Sequence, residues 1–586
     1  QPAGKDVEFP MRMVSTLLRP SALSMPITQL MRTASCVLLS GAAGTPPQSA
    51  PTTAFPPSAP VPPSVHSKAR GARSKPSLLS RSIATDDLVY EAMRFLDGSP
   101  DPFHACANVA ERLRGAGFEE LSEVEAWAGK LKKGGKYFFT RNRSCIVAFA
   151  VGSKYTAGQG GFKVIGAHTD SPNLKVKPRS KLKTAAGCTQ IDVECYGGGL
   201  WHTWFDRDLS VSGRVVVRTE TGIEQRLVKL DQPLLRVPTL CIHLQSPKER
   251  EAFAVNKEEH LQPILADAAA RALTGEPLDE GGATGATAEE GVEATAEGEG
   301  GAADEGGSAC EWGAAQEPML LSVVAEALGV DVAQIADFEL NLYDTQPAAL
   351  CGARSEFLNS ARLDNLASCF LATEALVAHA TEGGGCLPGG RLSADADISL
   401  IALFDHEEVG SSSAVGAGSP IMAESVRRIS ASLAPTSPAL AEDMTAATIG
   451  RSFVLSVDMA HAVHPNYQSK HEQVHGPKLN NGIVIKSNSN QRYASTPVTS
   501  FIVRELARRS ALPPPQEFVV RNDCPCGSTI GPIISAATGI RAVDVGLPQL
   551  SMHSVREMMG VDDLGSGLAM FKTFFKDFRE LDQQLK

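Results

Sequence analysis

Short apolar runs bounded by turn residues recur along the chain and alternate with segments of helical spacing. Ile398-Ser-Leu-Ile-Ala-Leu-Phe404 is continuous enough to read as a strand buried on both faces. Cys145–Val151, Phe162–Ile165 and the run from Val454 are of the same kind. Leu88–Leu96 has helical spacing and is punctuated by Asp97-Gly-Ser-Pro-Asp-Pro-Phe103. A second amphipathic helix is predicted from about Ala105 to Ala116, with Gly117 as its stop. From about 180 to 345 the pattern changes to alternating β-branched segments such as Gly213-Arg-Val-Val-Val-Arg218. After 360 the helix–strand alternation returns. These features predict an α/β fold, a mostly parallel sheet flanked by helices and interrupted by a β-rich insertion. The expected division is an extension over 1–85, one fold over 86–180 and 346–586, and the insertion over 181–345.

Two stretches carry no such pattern. Residues 41–80 are rich in Pro, Ser, Ala and Gly, and 11–85 contain Arg, Lys and Ser but no acidic residue. This composition fits a disordered extension or a targeting segment. Residues 274–317 are rich in Gly, Ala, Glu and Thr and are expected to form a solvated loop within the insertion.

The candidate chemistry lies where the apolar runs end. Phe404-Asp-His-Glu407-Glu408 follows one of them, and successive side chains at a strand end point to opposite sides. One glutamate can then bind a metal while the other faces a metal-activated water as general base. His168 ends another run, with Asp170 two residues on and able to orient its imidazole. Asp364, in Ser360-Ala-Arg-Leu-Asp-Asn365, is the carboxylate expected to bridge two metals. Asp458 ends the run from Val454, and His553 stands in Ser551-Met-His-Ser554. Two histidines, two aspartates and one glutamate form a mixed N/O set suited to zinc, with cobalt or manganese able to substitute. An exposed Glu-Glu pair or a lone strand-end His is usually only a solvated or hydrogen-bonded polar group. Several of them at predicted strand ends of one α/β sheet form a site.

GAHTDSPNLKVKP (166–178), WHTWFDRDLSVSGRV (201–215), SARLDNLAS (360–368), FDHEEVGS (404–411), SVDMAHAVHPNY (456–467), IKSNSNQRYA (485–494), CPCGSTIGPI (524–533) and SMHSVREM (551–558) resemble the M18 aspartyl aminopeptidase family of metallopeptidases. The resemblance runs from about residue 86 to the end, apart from the 274–317 insertion. It implies that His168, Asp458 and bridging Asp364 hold one Zn2+, that Glu408, His553 and Asp364 hold a second, and that Glu407 is the base. The implied reaction is hydrolysis of the first peptide bond of peptides with N-terminal Asp or Glu. The implied assembly is a tetrahedral dodecamer, with the β-rich insertion making its contacts.

An acidic first residue calls for a cation in its pocket. Lys486, in Val484-Ile-Lys-Ser-Asn488, fits, because apolar neighbours reduce screening of its charge. The resemblance puts Tyr493 beside it. His461 and His464 could polarise the substrate carbonyl, support the ligands, or be buried hydrogen-bonded histidines. His202 sits between two of the four tryptophans. It reads as part of an aromatic cluster, and the resemblance implies that it reaches a neighbouring subunit's active site.

A net charge of −11 and the lack of a phosphate loop argue against a nucleic-acid partner. No apolar run approaches the roughly 20 residues that span a bilayer. The twelve cysteines have no framework spacing, as in a reducing, cytoplasmic setting; Cys524-Pro-Cys526 reads as structural. The competing readings are a dinuclear aminopeptidase or dipeptidase of neutral preference, a non-catalytic assembly protein of the same fold, and a metal-storage module.

Overall fold

The computed structural model describes residues 83–267, 311–434 and 438–585. Except for 83–85, which open the first helix, the expected extension over 1–85 lies outside the described residues.

Nine strands form the central sheet. Their spatial order is Glu119–Glu120, Lys136–Arg141, Cys145–Val151, Ile398–Phe404, Phe162–His168, Phe453–Val457, Arg541–Gly546, Val484–Lys486 and Gln516–Phe518. The four strands from Ile398–Phe404 to Arg541–Gly546 are mutually parallel, and antiparallel pairs join them to both flanks. Cys145–Val151, Phe162–His168 and Ile398–Phe404 are buried at every position. The pleat sends alternate side chains to opposite faces. Ile165, Ala167, Ile401, Leu403, Leu455 and Val543 join one apolar core, with Phe370, Phe571 and Phe574 from the helices Leu363–Thr381 and Val561–Gln584. Phe162, Val164, Leu400, Ala402 and Val454 join the other, with Ile421, Ile429 and Ile534 from Ile421–Leu433 and Ile530–Thr538. Helices on both faces are what continuous apolar strands require, since neither face can meet water. The fold is α/β, as expected.

A six-stranded sheet has the order Gly222–Lys229, Leu209–Thr219, Ile335–Asp344, Asn173–Lys181, Cys188–Tyr196 and Ile264–Asp267. It carries its own core of valines and leucines with Trp201 and Trp204. Asn173–Lys181, ahead of the expected start of the insertion at 181, already belongs to this sheet. A five-stranded sheet of short strands runs Ala349–Cys351, Phe357–Ser360, Glu557–Gly560, Pro548–Leu550 and Ala460–His461.

Most of the loop expected over 274–317 lies outside the described residues, but its last part does not behave as a solvated loop. Glu311–Ala314 is helical, and Trp312 meets Phe338 edge-on at 5.2 Å. Buried Gln316 accepts from the Ser180 hydroxyl at 2.7 Å and donates to Pro178 O at 2.7 Å. The Gly-rich composition ends before this segment, and a tryptophan and a bonded glutamine tie it to the sheet. No helix among the described residues is long and apolar enough to cross a membrane.

Candidate metal centre

The buried strand Phe162–His168 delivers His168 at its carboxyl end, 1 % exposed. Phe453–Val457 delivers Asp458 immediately past its own end. Glycine at 546 is required there, because a Cβ would lie 1.9 Å from Asp458 O. Asp364 stands at the start of the helix Leu363–Thr381, after Arg362 in the left-handed region. His553 follows Pro548–Leu550 of the small sheet, itself at φ 65.

Glu407 and Glu408 follow the strand, as expected, but strand alternation is not what sets them apart. Ile398–Phe404 stops at Phe404, His406 turns the chain at φ 62, and the two glutamates lie in a 3-10 turn, Glu407–Val409. The turn, rather than the strand pleat, separates them. Glu407 Oε2 stands 3.9 Å from His168 Nε2, whereas Glu408 Oε1 stands 3.3 Å from His553 Nε2. Non-glycine residues at positive φ gather at this site (Arg362, His406 and His553), the kind of backbone strain that functional sites hold in place.

Asp364 joins the two halves. Its Oδ1 is 3.4 Å from His168 Nε2 and its Oδ2 is 3.7 Å from His553 Nε2. Asp458 Oδ1 is 3.5 Å from His168 Nε2. Ligand atoms of His168, Asp364 and Glu408 all lie within 4.8 Å of one another. Five expected ligands and Glu407 are thus brought together.

The charge balance of this cluster fits a cation. Burial, and then Asp458, push the Asp364 carboxyl above its ordinary range. Burial and Asp364 push Glu408 up to about 7 against the pull of His553. Burial opposes protonation of His553, yet Glu408 and Asp364 raise it to about 10. Asp364 Oδ1 is buried without a hydrogen-bond partner. Protonating two imidazoles is one answer to crowded carboxylates. A divalent cation is the other, and it alone uses the imidazole lone pairs and the unpartnered oxygen. The donor set of imidazole nitrogens and carboxylate oxygens suits zinc.

Asp170 does more than orient its neighbour. His168 Nδ1 is 3.0 Å from the Asp170 backbone carbonyl and 3.4 Å from its carboxylate. That carboxylate accepts from Glu407 N at 3.1 Å, Glu408 N at 3.0 Å and the Tyr196 hydroxyl at 2.7 Å. Asp170 and Tyr196 therefore fix the Glu407–Glu408 turn.

Lys486 is 3 % exposed and donates to Asp458 Oδ2 at 3.1 Å and Met459 O at 3.0 Å. Burial opposes ionisation of Asp458, yet the Lys486 ammonium and His168 hold its carboxyl far below the usual range. Lys486 Nζ lies 5.2 Å from the centre of the buried Tyr493 ring. Lys486, Tyr493 and His461 line one cavity of about 1160 Å³ with Asp364, Glu407 and Glu408. His464 does not reach it. His464 lies in a neighbouring cavity, with its backbone N–H on His471 Nε2 at 3.0 Å. His202 is exposed on the turn Trp201–Trp204 and does not line this chain's own cavity.

Sequence reading missed Glu557. It is 3 % exposed, and its two oxygens accept from Asp364 N at 2.9 Å and His553 N at 2.7 Å. One carboxylate thus braces two candidate ligands. The available signal was a lone glutamate four residues beyond His553 in a segment leading into an apolar strand. Glu557→Gln turns one acceptor into a donor facing a backbone N–H. It is expected to weaken zinc binding about 10–100-fold with the fold retained, as read by competition with a chelating dye.

Residues 95–575 match the family profile described as aminopeptidase I zinc metalloprotease (M18). A probable aspartyl aminopeptidase of Ricinus communis is 46 % identical over 499 residues, covering 84 % of this chain and 96 % of the relative. An aspartyl aminopeptidase of Aspergillus oryzae is 45 % identical over 501 residues, covering 83 % and 95 %. Among solved structures, the Ape4 and Nbr1 complex superposes with TM-score 0.75 at 39 % identity, covering 86 % of this chain and 88 % of that one. The Saccharomyces cerevisiae mApe1 dodecamer gives 0.69 at 28 %, covering 86 % and 99 %.

Proposed function

We propose, from the premise that this chain belongs to the M18 family of zinc metalloaminopeptidases, that it releases aspartate or glutamate from the N-terminus of peptides. The observation that carries the acidic preference is Lys486, an almost fully buried ammonium on the same cavity as Glu407. It donates to Asp458 and lies 5.2 Å from the centre of the Tyr493 ring, and we assign it to the first side chain. A carboxylate entering there gains a charge-assisted bond away from competing water, which a neutral side chain forgoes. The aspartyl aminopeptidases among the relatives support the same reading.

We place one zinc on His168, Asp458 and Asp364 and a second on Glu408, His553 and Asp364, with cobalt or manganese able to replace them. Zinc, when bound, supplies Lewis acidity to a water and to the scissile carbonyl. Glu407 takes the proton from the attacking water and delivers it to the leaving amine. Asp170 and Tyr196 hold the Glu407–Glu408 turn so that the base keeps its aim. His461, on the same wall, is positioned to support the peptide carbonyl. The solved dodecamer among the structural neighbours supports assembly of this chain into a tetrahedral dodecamer, in which exposed His202 would serve a neighbouring subunit. Cytoplasmic residence accords with the ten cysteines among the described residues, none of which is bridged.

The test is release of the first residue from matched Asp-, Glu-, Leu- and Lys-peptides, with and without chelator. Chelator-sensitive release is expected, fast from the Asp- and Glu-peptides and only residual from the Leu-peptide. Lys486→Leu is expected to lower kcat/KM on Asp-peptides on the order of 10²-fold, because a buried charge pair is lost. Hydrolysis of the Leu-peptide should persist or rise in that variant, which shows the metal centre intact. Equal loss on every peptide would remove Lys486 from substrate selection.

A further inference from the structure

Beyond His461 lies a second cavity of about 640 Å³ that shares His461 and Met552 with the metal cavity. Gln549 lines it, 1 % exposed, and neither its Oε1 nor its Nε2 has a hydrogen-bond partner. Gln549 sits on the strand Pro548–Leu550 in parallel register with His461, so the two side chains are neighbours across the pair. A buried primary amide with both ends unpartnered leaves its desolvation uncompensated unless something enters to bond it. It offers a donor and an acceptor side by side, the complement of the C=O and N–H that one residue of an extended peptide points the same way. Phe518 packs on the His461 ring at 5.5 Å and forms an apolar wall. Exposed Lys470 also lines the cavity, and its ammonium meets no carboxylate among the described residues.

We propose that this cavity receives the part of the substrate that follows the scissile bond, with Gln549 bonding the peptide backbone and Lys470 attracting a carboxylate beyond it. The inference rests on the peptidase reading above. The preferred substrates are then short peptides with a negative charge one or two residues after the bond. That charge is either a free C-terminal carboxylate or an acidic side chain. The first side chain is read at Lys486, and the leaving peptide on the far side of His461.

The experiment uses the zinc-loaded, assembled full chain and its Gln549→Met and Lys470→Gln variants. Substrates are Asp-Ala-Ala, Asp-Ala-Ala-amide and Asp-Ala-Glu-amide; aspartyl hydroxamate is a competing ligand with no residue after the reacting carbonyl. Gln549→Met keeps the side-chain volume and removes the amide. It is expected to lower kcat/KM about tenfold on all three peptides, the equivalent of one hydrogen bond, and to leave hydroxamate inhibition unchanged. The parent is expected to favour the free acid and the Glu-amide over the plain amide by a few-fold at low salt, and Lys470→Gln to erase that preference. A preference for the free acid alone assigns the charge to the C-terminus, and one for both assigns it to either source. Unchanged peptide kinetics in Gln549→Met, or equal weakening of peptides and hydroxamate, would overturn the proposal. Failure of the parent to cleave any acidic peptide would instead overturn the peptidase reading.

Discussion

Glu407→Gln is expected to hold its zinc and lose turnover, with kcat reduced by roughly 10²–10⁴-fold. Gln keeps the shape of Glu and its backbone N–H on Asp170 Oδ1, so the turn and Glu408 stay where they are. What disappears is the one carboxylate lining the cavity, among the described residues, that we do not assign to a metal. Burial, and then Asp458, Glu408 and Asp170, push Glu407 up to about 8, with His168 pulling the other way. A raised value makes a stronger base, and a cation alongside opposes the push, which leaves it able to take and return a proton near neutrality. The measurement pairs zinc content per chain with single-turnover release of aspartate. Full zinc with near-normal turnover would remove Glu407 from its role; lost zinc would make it a ligand instead.

The strands that build this site are legible because they are buried on both faces. Ile398–Phe404 and Cys145–Val151 are readable to the residue, since burial from both sides leaves the runs almost wholly apolar, Ser399 excepted. The ligands followed from where such runs stop. Less legible was anything set by turn geometry or by contacts between distant segments. The divergence of Glu407 and Glu408 depends on the left-handed backbone of His406, which strand alternation cannot supply. Glu557 looks in sequence like any solvated glutamate; its role appears only when Glu557–Gly560 pairs with Phe357–Ser360 and brings it to Asp364. His461 and His464 stand three residues apart and read alike, yet only His461 lines the metal cavity. The pairing of Lys486 with Asp458, which ties substrate selection to a candidate ligand, was equally hidden. Composition marked the Gly-rich stretch, whereas the contacts of Trp312 and Gln316 at its end could not be read from it.

Asp364→Asn is expected to abolish activity and to separate the stability of the metal-free protein from that of the zinc form. The carboxylate is 3 % exposed and faces both histidines, with no hydrogen bond to Oδ1. Without metal, its charge adds to a crowd of buried acids that already pushes Asp364, Glu408 and Glu557 upward. A neutral amide removes that repulsion, so the metal-free variant should melt at or above the parent. With zinc the order reverses. A ligand that binds only the folded form adds about 2.7 kcal/mol at a hundredfold excess over Kd, and an amide that cannot bridge two cations forfeits most of it. The backbone contacts of Asp364, its N–H to Glu557 and its carbonyl to the Ser171 hydroxyl, survive the substitution, so the difference reports the side chain. Thermal melts across a zinc titration make the comparison. A zinc-induced rise in Tm equal to that of the parent would show that Asp364 bridges nothing. A lower melting point in both forms would make it a structural carboxylate whose charge the fold itself requires.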